Sequence, residues 1–272
     1  ELTVKSPAVF NNSIFAGVSV SDQTLKGILL AFAAFAAYAW SDASVKLIEG
    51  QISPIESAFF GALFGLVALP FIRKRNDSWL DVVKTTNRPL WIIRFFAAGT
   101  GAVGSVTAFT HLSMAEAFAL IFLLPSFVTI MSVVFLKEQV GIRRWSAVII
   151  GFLGVLVILR PGFRELGIGH LGAIIGGFSG ALSIVIFRAM GPSEKNVSLY
   201  GAGVLGCLTI SGIAMVPTFI MPGGEQWLLL AGYGLLGALG NVLVMYAAQY
   251  APAAMIGPTQ YSQMLWAILF GY

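Results

Sequence analysis

The sequence predicts an all-α polytopic membrane bundle built as two inverted five-helix repeats, with about nine of the ten helices that plan requires. Three observations carry the prediction. Of 272 residues, 57% are hydrophobic and only 10% charged, where soluble domains carry roughly 25% charged residues. Apolar runs of membrane-spanning length recur with short breaks. The second half of the chain repeats features of the first.

Composition excludes several classes outright. A mean hydropathy of +0.87 rules out a soluble enzyme or a disordered chain. Cys207 is the single cysteine, so no intrachain disulfide forms, and with only two histidines no metal site or cofactor is expected. The net charge of +4 does not point to nucleic acid, because basic residues of membrane proteins collect in cytoplasmic loops.

Residues 1–24 read as a loose cytoplasmic arm without the pattern of a signal peptide. Spans follow at 25–48, 53–72, 90–111, 114–136, 144–160, 169–189, 198–220, 227–250 and 253–271. Period-two alternation is absent, so the runs are helices rather than barrel strands. The breaks carry Gly50 to Pro54, Arg73-Lys74-Arg75, Lys137 to Arg144, Pro161-Gly162, Gly191-Pro192 and Pro222-Gly223-Gly224. With the N-terminus inside, thirteen Lys and Arg residues fall on or near the cytoplasmic face and only Lys46, Arg160 and Arg164 outside. The sequons at Asn11, Asn76 and Asn196 then lie inside and stay unglycosylated.

The stretch from Ala39 to Lys46 ends the first span as Ala181 to Arg188 ends the sixth, at a constant offset. Pro70 closes span two as Pro217 closes span seven, and Gly99 to His111 resembles Gly237 to Gln249. A repeat with an odd number of spans forces its copies upside down relative to each other, the plan of many secondary transporters. Residues 25–162 form the first unit and 163–272 the second, which stops one helix short. A further helix is expected to follow Tyr272 in the natural chain.

The run Ala115-Glu116-Ala117-Phe118-Ala119-Leu120 to Pro125, then Phe135-Leu136-Lys137-Glu138, then Gly151-Phe152-Leu153-Gly154-Val155, resembles the EamA unit of the drug/metabolite transporter superfamily. The resemblance covers nearly the whole chain from residue 25. It implies a metabolite exporter or permease of the bacterial inner membrane, most similar to the exporters of amino acids, aromatic ones included. The superfamily also carries nucleotide sugars and sugar phosphates. The partners implied are a small-molecule substrate and the bilayer, with a homodimer admitted and no nucleic acid.

Uncharged polar and aromatic residues are the candidates for the substrate path: Tyr38, Trp40, Ser41, Ser105, Thr107, Ser179, Ser183, Asn241, Tyr246, Gln260 and Tyr261. Interhelical hydrogen bonding is the ordinary use of such residues. Asp42, inside span one, joins them as the strongest ionisable candidate, although Lys46 one turn on offers it a local ion pair. Asp42, Glu56, His111 and Glu116 are candidates for an outer gate or a proton-linked carboxylate. Arg94 and Arg188, near the inner face, are expected to snorkel. Pro125 and Pro258 are candidate hinges in spans four and nine.

Two motifs invite other readings. Gly99-Thr100-Gly101-Ala102-Val103-Gly104 matches a dinucleotide fingerprint but lies inside an apolar helix, where it serves packing. Gly177-Phe178-Ser179-Gly180 matches an intramembrane serine hydrolase, which would need His111 or His170 beside Ser179. No catalytic residue is assigned.

Overall fold

The computed structural model describes residues 22–48, 51–112, 114–159, 166–191 and 193–269. Most of the N-terminal arm, Asn11, Arg160, Arg164 and the Pro161-Gly162 break lie outside the described residues. The chain is an all-α bundle. Its helices are α1 (Asp22–Lys46), α2 (Pro54–Ile72, with a 3-10 turn at Leu66–Ala68) and α3 (Arg88–His111). Next come α4 (Met114–Ile121 and Leu124–Leu136), α5 (Ile142–Leu159), α6 (Ile168–Met190), α7 (Asn196–Met215) and α8 (Gly224–Tyr250). α9 is broken into Ala253–Ile256, a 3-10 segment at Gly257–Tyr261 and Ser262–Leu269. Seven of these helices are long and apolar enough to cross a membrane. α5 and the broken α9 occupy the other two predicted spans.

Local chemistry sets the boundaries. Pro54 and Pro89 stand in first turns, where a missing N–H costs nothing. The Asn87 side chain accepts from Leu90 N at 3.2 Å and caps α3. Lys137 turns α4 off in a left-handed conformation at φ 55°, which lets Glu138 N reach Ser132 O at 3.1 Å. Large apolar side chains face outward, Phe71 at 86% and Ile142 at 82% exposure among them. Such a surface is stable only against lipid.

Apolar burial drives helix association weakly in a bilayer, so close backbone approach must supply the contact. The two most extensive interfaces are α3 against α6 and α1 against α8, both antiparallel. Under the inverted repeat read from the sequence, α1 would correspond to α6 and α8 to α3, which would map one interface onto the other. Gly27 abuts Ala251 in the first, and Gly169 abuts Leu112 in the second. Gly169 follows Gly27 at the offset that relates Ala181 to Ala39. The fingerprint glycines serve this packing. A Cβ on Gly101 would stand 2.5 Å from Ser179 Cβ, and one on Gly104 2.8 Å from Gly172 O.

Candidate functional site

A cavity of about 350 Å³ lies between the halves, a volume suited to a small metabolite. α1 lines it with Phe35, Tyr38, Ser41, Asp42 and Val45, one face of a helix by spacing. α3 contributes Arg94 to Phe109, α6 Ser179, Ser183 and Phe187, α7 Tyr200 and Cys207, and α8 Tyr233, Asn241 and Val244. Gln260 and Gln263 enter from α9. Asp42 and Arg94 are the charged residues of this lining.

Several of the polar groups are already occupied. Ser41 Oγ donates to Tyr233 O at 2.8 Å, Tyr200 OH to Gly65 O at 2.8 Å and Asn241 Nδ2 to Gly237 O at 3.3 Å. Gln263 Nε2 donates to Asp42 Oδ2 at 2.5 Å, tying α9 to α1. Arg94 does not snorkel as its position in the sequence suggests. It is 2% exposed, because α7 and α6 close over it before its stem reaches the helix end. Its Nε donates to Leu199 O at 2.7 Å, and its guanidinium lies 3.8 Å from the centre of the Phe187 ring. A cation at the centre of a membrane helix costs about 3 kcal/mol to insert, an upper bound for Arg94 in the second turn of α3. A cation–π contact and one charged hydrogen bond offset about 2–4 kcal/mol of that. Nη1 remains without a partner, as does Gln260 Oε1.

Of the residues read as path candidates, Tyr38, Ser41, Asp42, Ser105, Ser179, Ser183, Asn241 and Gln260 line the cavity. Trp40, Thr107, Tyr246 and Tyr261 are not among its lining residues. The helix period explains the division. Residues two apart point about 200° from each other, so Trp40 turns away when Tyr38 and Asp42 face in, and it is 50% exposed. Thr107 packs on Gly172, and Tyr261 stands beside Phe122. Tyr200, Tyr233 and the inward role of Arg94 were not legible in the sequence. Counting back eight residues from Asn241, about two helical turns, would have put Tyr233 on the same face of α8.

Glu56, His111 and Glu116 stand at the end of the bundle away from the basic loops. Glu56 is fully buried and accepts from Ile220 N at 2.6 Å. Glu116 accepts from His170 Nε2 at 3.2 Å. Gly167 N donates to His170 Nδ1 at 3.1 Å, which leaves Nε2 to face Glu116. His111 Nδ1 lies 3.0 Å from Thr107 O.

The basic end is closed by polar contacts. Lys195 Nζ meets Asp77 at 3.2 Å and Asp81 at 2.5 Å. Glu194 accepts from Thr85 Oγ1 at 2.6 Å and from Thr86 N at 2.8 Å. Glu138 accepts from Ala253 N and Ala254 N and pairs with Arg188 at 3.6 Å. The Lys195 ammonium, then the Ser78 N–H, hold Asp81 below the usual carboxylate range. The Lys74 N–H does most to lower Asp77, and Asp81 followed by Asp77 raises Lys195. Burial pushes Glu194 up, but the donors from Thr85 and Thr86 outweigh it and leave it lowered.

Pro125 and Pro258 mark the interruptions of α4 and α9. α4 breaks at residues 122–123, with Pro125 in the first turn of its second half, and Pro258 lies within the 3-10 segment. The interruptions meet, since a Cβ on Gly257 would stand 3.3 Å from Pro125 Cα. Leu124 and Gln260 from these segments line the cavity. Discontinuous helices facing one another beside a central cavity are a transporter feature.

Hydrolase chemistry finds no support in this geometry. His170 lies on the same helix as Ser179, about 13 Å away along the axis by helical rise, and His111 packs against Gly169 beside it. Among the described residues no three His, Cys, Asp or Glu side chains group as metal ligands. The model of the EamA-like transporter family matches residues 25–160. The chain belongs to the EamA-like transporter family. It is a multi-pass membrane transporter of small molecules, not an enzyme. This EamA-like chain is 25% identical over 268 residues to an uncharacterised transporter of Helicobacter pylori, covering 96% of this chain and 87% of that one. It is 24% identical to an S-adenosylmethionine uptake transporter of Rickettsia felis, covering 85% of this chain and 78% of the relative. A riboflavin transporter of Vibrio cholerae is 27% identical over 58% of this chain and 53% of its own length. One solved crystal structure shares the fold, with a TM-score of 0.68 and 18% identity over 92% of this chain and 88% of that chain.

Proposed function

We propose that this chain is a secondary transporter that exports small amphipathic metabolites, amino acids including aromatic ones, across the bacterial cytoplasmic membrane by alternating access. The observation that carries the reading is the cavity itself. It is walled by rings and small residues, furnished with hydroxyls and amides, and holds one acid and one base. An amphipathic solute with an apolar body and a zwitterionic head matches that inventory. A sugar phosphate matches it less well, because phosphate recognition favours several cations. The named relatives support transport of small metabolites in general; they are named for riboflavin and for uptake of S-adenosylmethionine, not for amino-acid export.

The basic end takes the cytoplasmic side by the excess of Lys and Arg, with the N-terminus inside. The cavity reaches Val45 and Phe109, near the opposite ends of α1 and α3, while the loops at the basic end are latched. That arrangement corresponds to an outward-facing state. Counterflow into proteoliposomes tests the reading with phenylalanine, tryptophan, methionine, threonine, S-adenosylmethionine, riboflavin and a sugar phosphate. Uptake of the amino acids is the expected result. Uptake of riboflavin or the sugar phosphate without any amino acid overturns the substrate class.

A further inference from the structure

Arg94 holds a hydrogen-bonding capacity that its neighbours leave unused. It lies in the second turn of α3, in the wall of the cavity, and is 2% exposed. Nε is bonded to Leu199 O and the plane rests on Phe187, so the guanidinium is held in one orientation. Nη1 is buried and unbonded. Among the described residues no carboxylate pairs with it, and the other charged residue of the cavity, Asp42, is engaged by Gln263. A buried cation without an anion is an unfilled demand, and a guanidinium edge meets a carboxylate with parallel N–H···O bonds. Gln260 Oε1, also buried and unbonded in the same lining, is an acceptor and so asks for a donor.

We propose that Arg94 is the anion-binding residue of the transport site and that the solute presents a carboxylate to it, with an N–H or ammonium donor directed at Gln260. This rests on the transport reading and deepens it. The solute must be a carboxylic acid or amino acid rather than a neutral or purely cationic compound. A single guanidinium, with no second cation in the lining, favours a carboxylate over a phosphate.

The test measures binding to the purified full chain in nanodiscs, separately from transport. The probes are phenylalanine, 3-phenylpropanoate, phenethylamine, phenylalaninamide and phenyl phosphate, each read by equilibrium competition. The carboxylates are expected to bind at least tenfold tighter than phenethylamine and phenylalaninamide on the unaltered protein, a comparison that needs no variant. R94Q is expected to lose carboxylate binding about a hundredfold, and R94K to recover part of it. Equal binding of acid and amide, no binding of any probe, or carboxylate affinity unchanged in R94Q overturns the proposal. Arg94-dependent binding of phenyl phosphate without the carboxylates overturns the carboxylate assignment and makes the site one for phosphate. Loss of amino-acid counterflow with Arg94-dependent carboxylate binding intact sinks the transport reading and leaves the anion site standing.

Discussion

Asp42 shows how one side chain's meaning depends on what faces it. On α1 alone, Lys46 is its nearest partner by spacing, and an ion pair on the helix surface would be structural. In the bundle its Oδ2 accepts from Gln263 of α9, which packs across the cavity. Asp42→Asn keeps a hydrogen-bonding partner for Gln263 and removes the titratable charge. We expect the variant to fold and bind substrate while its transport rate stops responding to an imposed pH gradient. Proteoliposome flux at two gradients checks this, and an unchanged gradient response would return Asp42 to a purely structural role. Cys207, the lone thiol, donates to Ala98 O at 3.3 Å and lines the same cavity. Bound substrate should therefore slow maleimide labelling of Cys207 severalfold, read by mass spectrometry.

At the scale of elements, the helices are held by glycine contacts that leave no room for a methyl group. A Cβ on Gly206 of α7 would collide with the carbonyl of Phe95 on α3. Gly206→Val should destabilise the protein by about 1–3 kcal/mol, the usual result of overpacking, seen as a lower melting temperature. The loops at the basic end form a separate device. Asp77 and Asp81 are lowered by their donors, so their stabilising contribution is present above the usual carboxylate range and is lost as pH falls through their depressed values. Lys195 is raised, so its contribution is present below the usual lysine range and is lost as pH rises through its elevated value. The latch is thus closed at all neutral pH values. Lys195→Ala should open the basic end and increase labelling of Cys207 from that side, compared with the unaltered protein at the same pH 7, since maleimide reacts with the thiolate and its rate rises with pH on its own.

At the scale of the molecule, the proposed orientation with the N-terminus inside rests on the distribution of Lys and Arg. In a Cys207→Ser background, a cysteine at Lys84 should react with a membrane-impermeant maleimide only from the cytoplasmic side, and one at Gln51 only from outside. The reverse pattern would invert the proposed topology. The proposed alternating access would draw on the likeness of the α1–α8 and α3–α6 interfaces, the two most extensive in the bundle. Two halves of similar packing can exchange conformations at similar energy, opening the cavity to either side in turn.

Apart from the interruptions within α4 and α9, long apolar runs and their breaks were enough to place the described spans to within a few residues, because in a bilayer each spanning segment must satisfy its own backbone hydrogen bonds. The family was likewise legible in the order of the spans and in the apolar-Glu step at Leu136-Lys137-Glu138. Which polar residues meet in one cavity was not. Trp40 and Tyr38 look equally suited to a substrate until α8 covers one side of α1 and leaves the other exposed. Arg94 reads as a residue reaching for water until α6 and α7 close over it. A segment's hydropathy is a property of its own residues. The direction a side chain faces, and whether its charge is answered, is decided only by the helices packed against it.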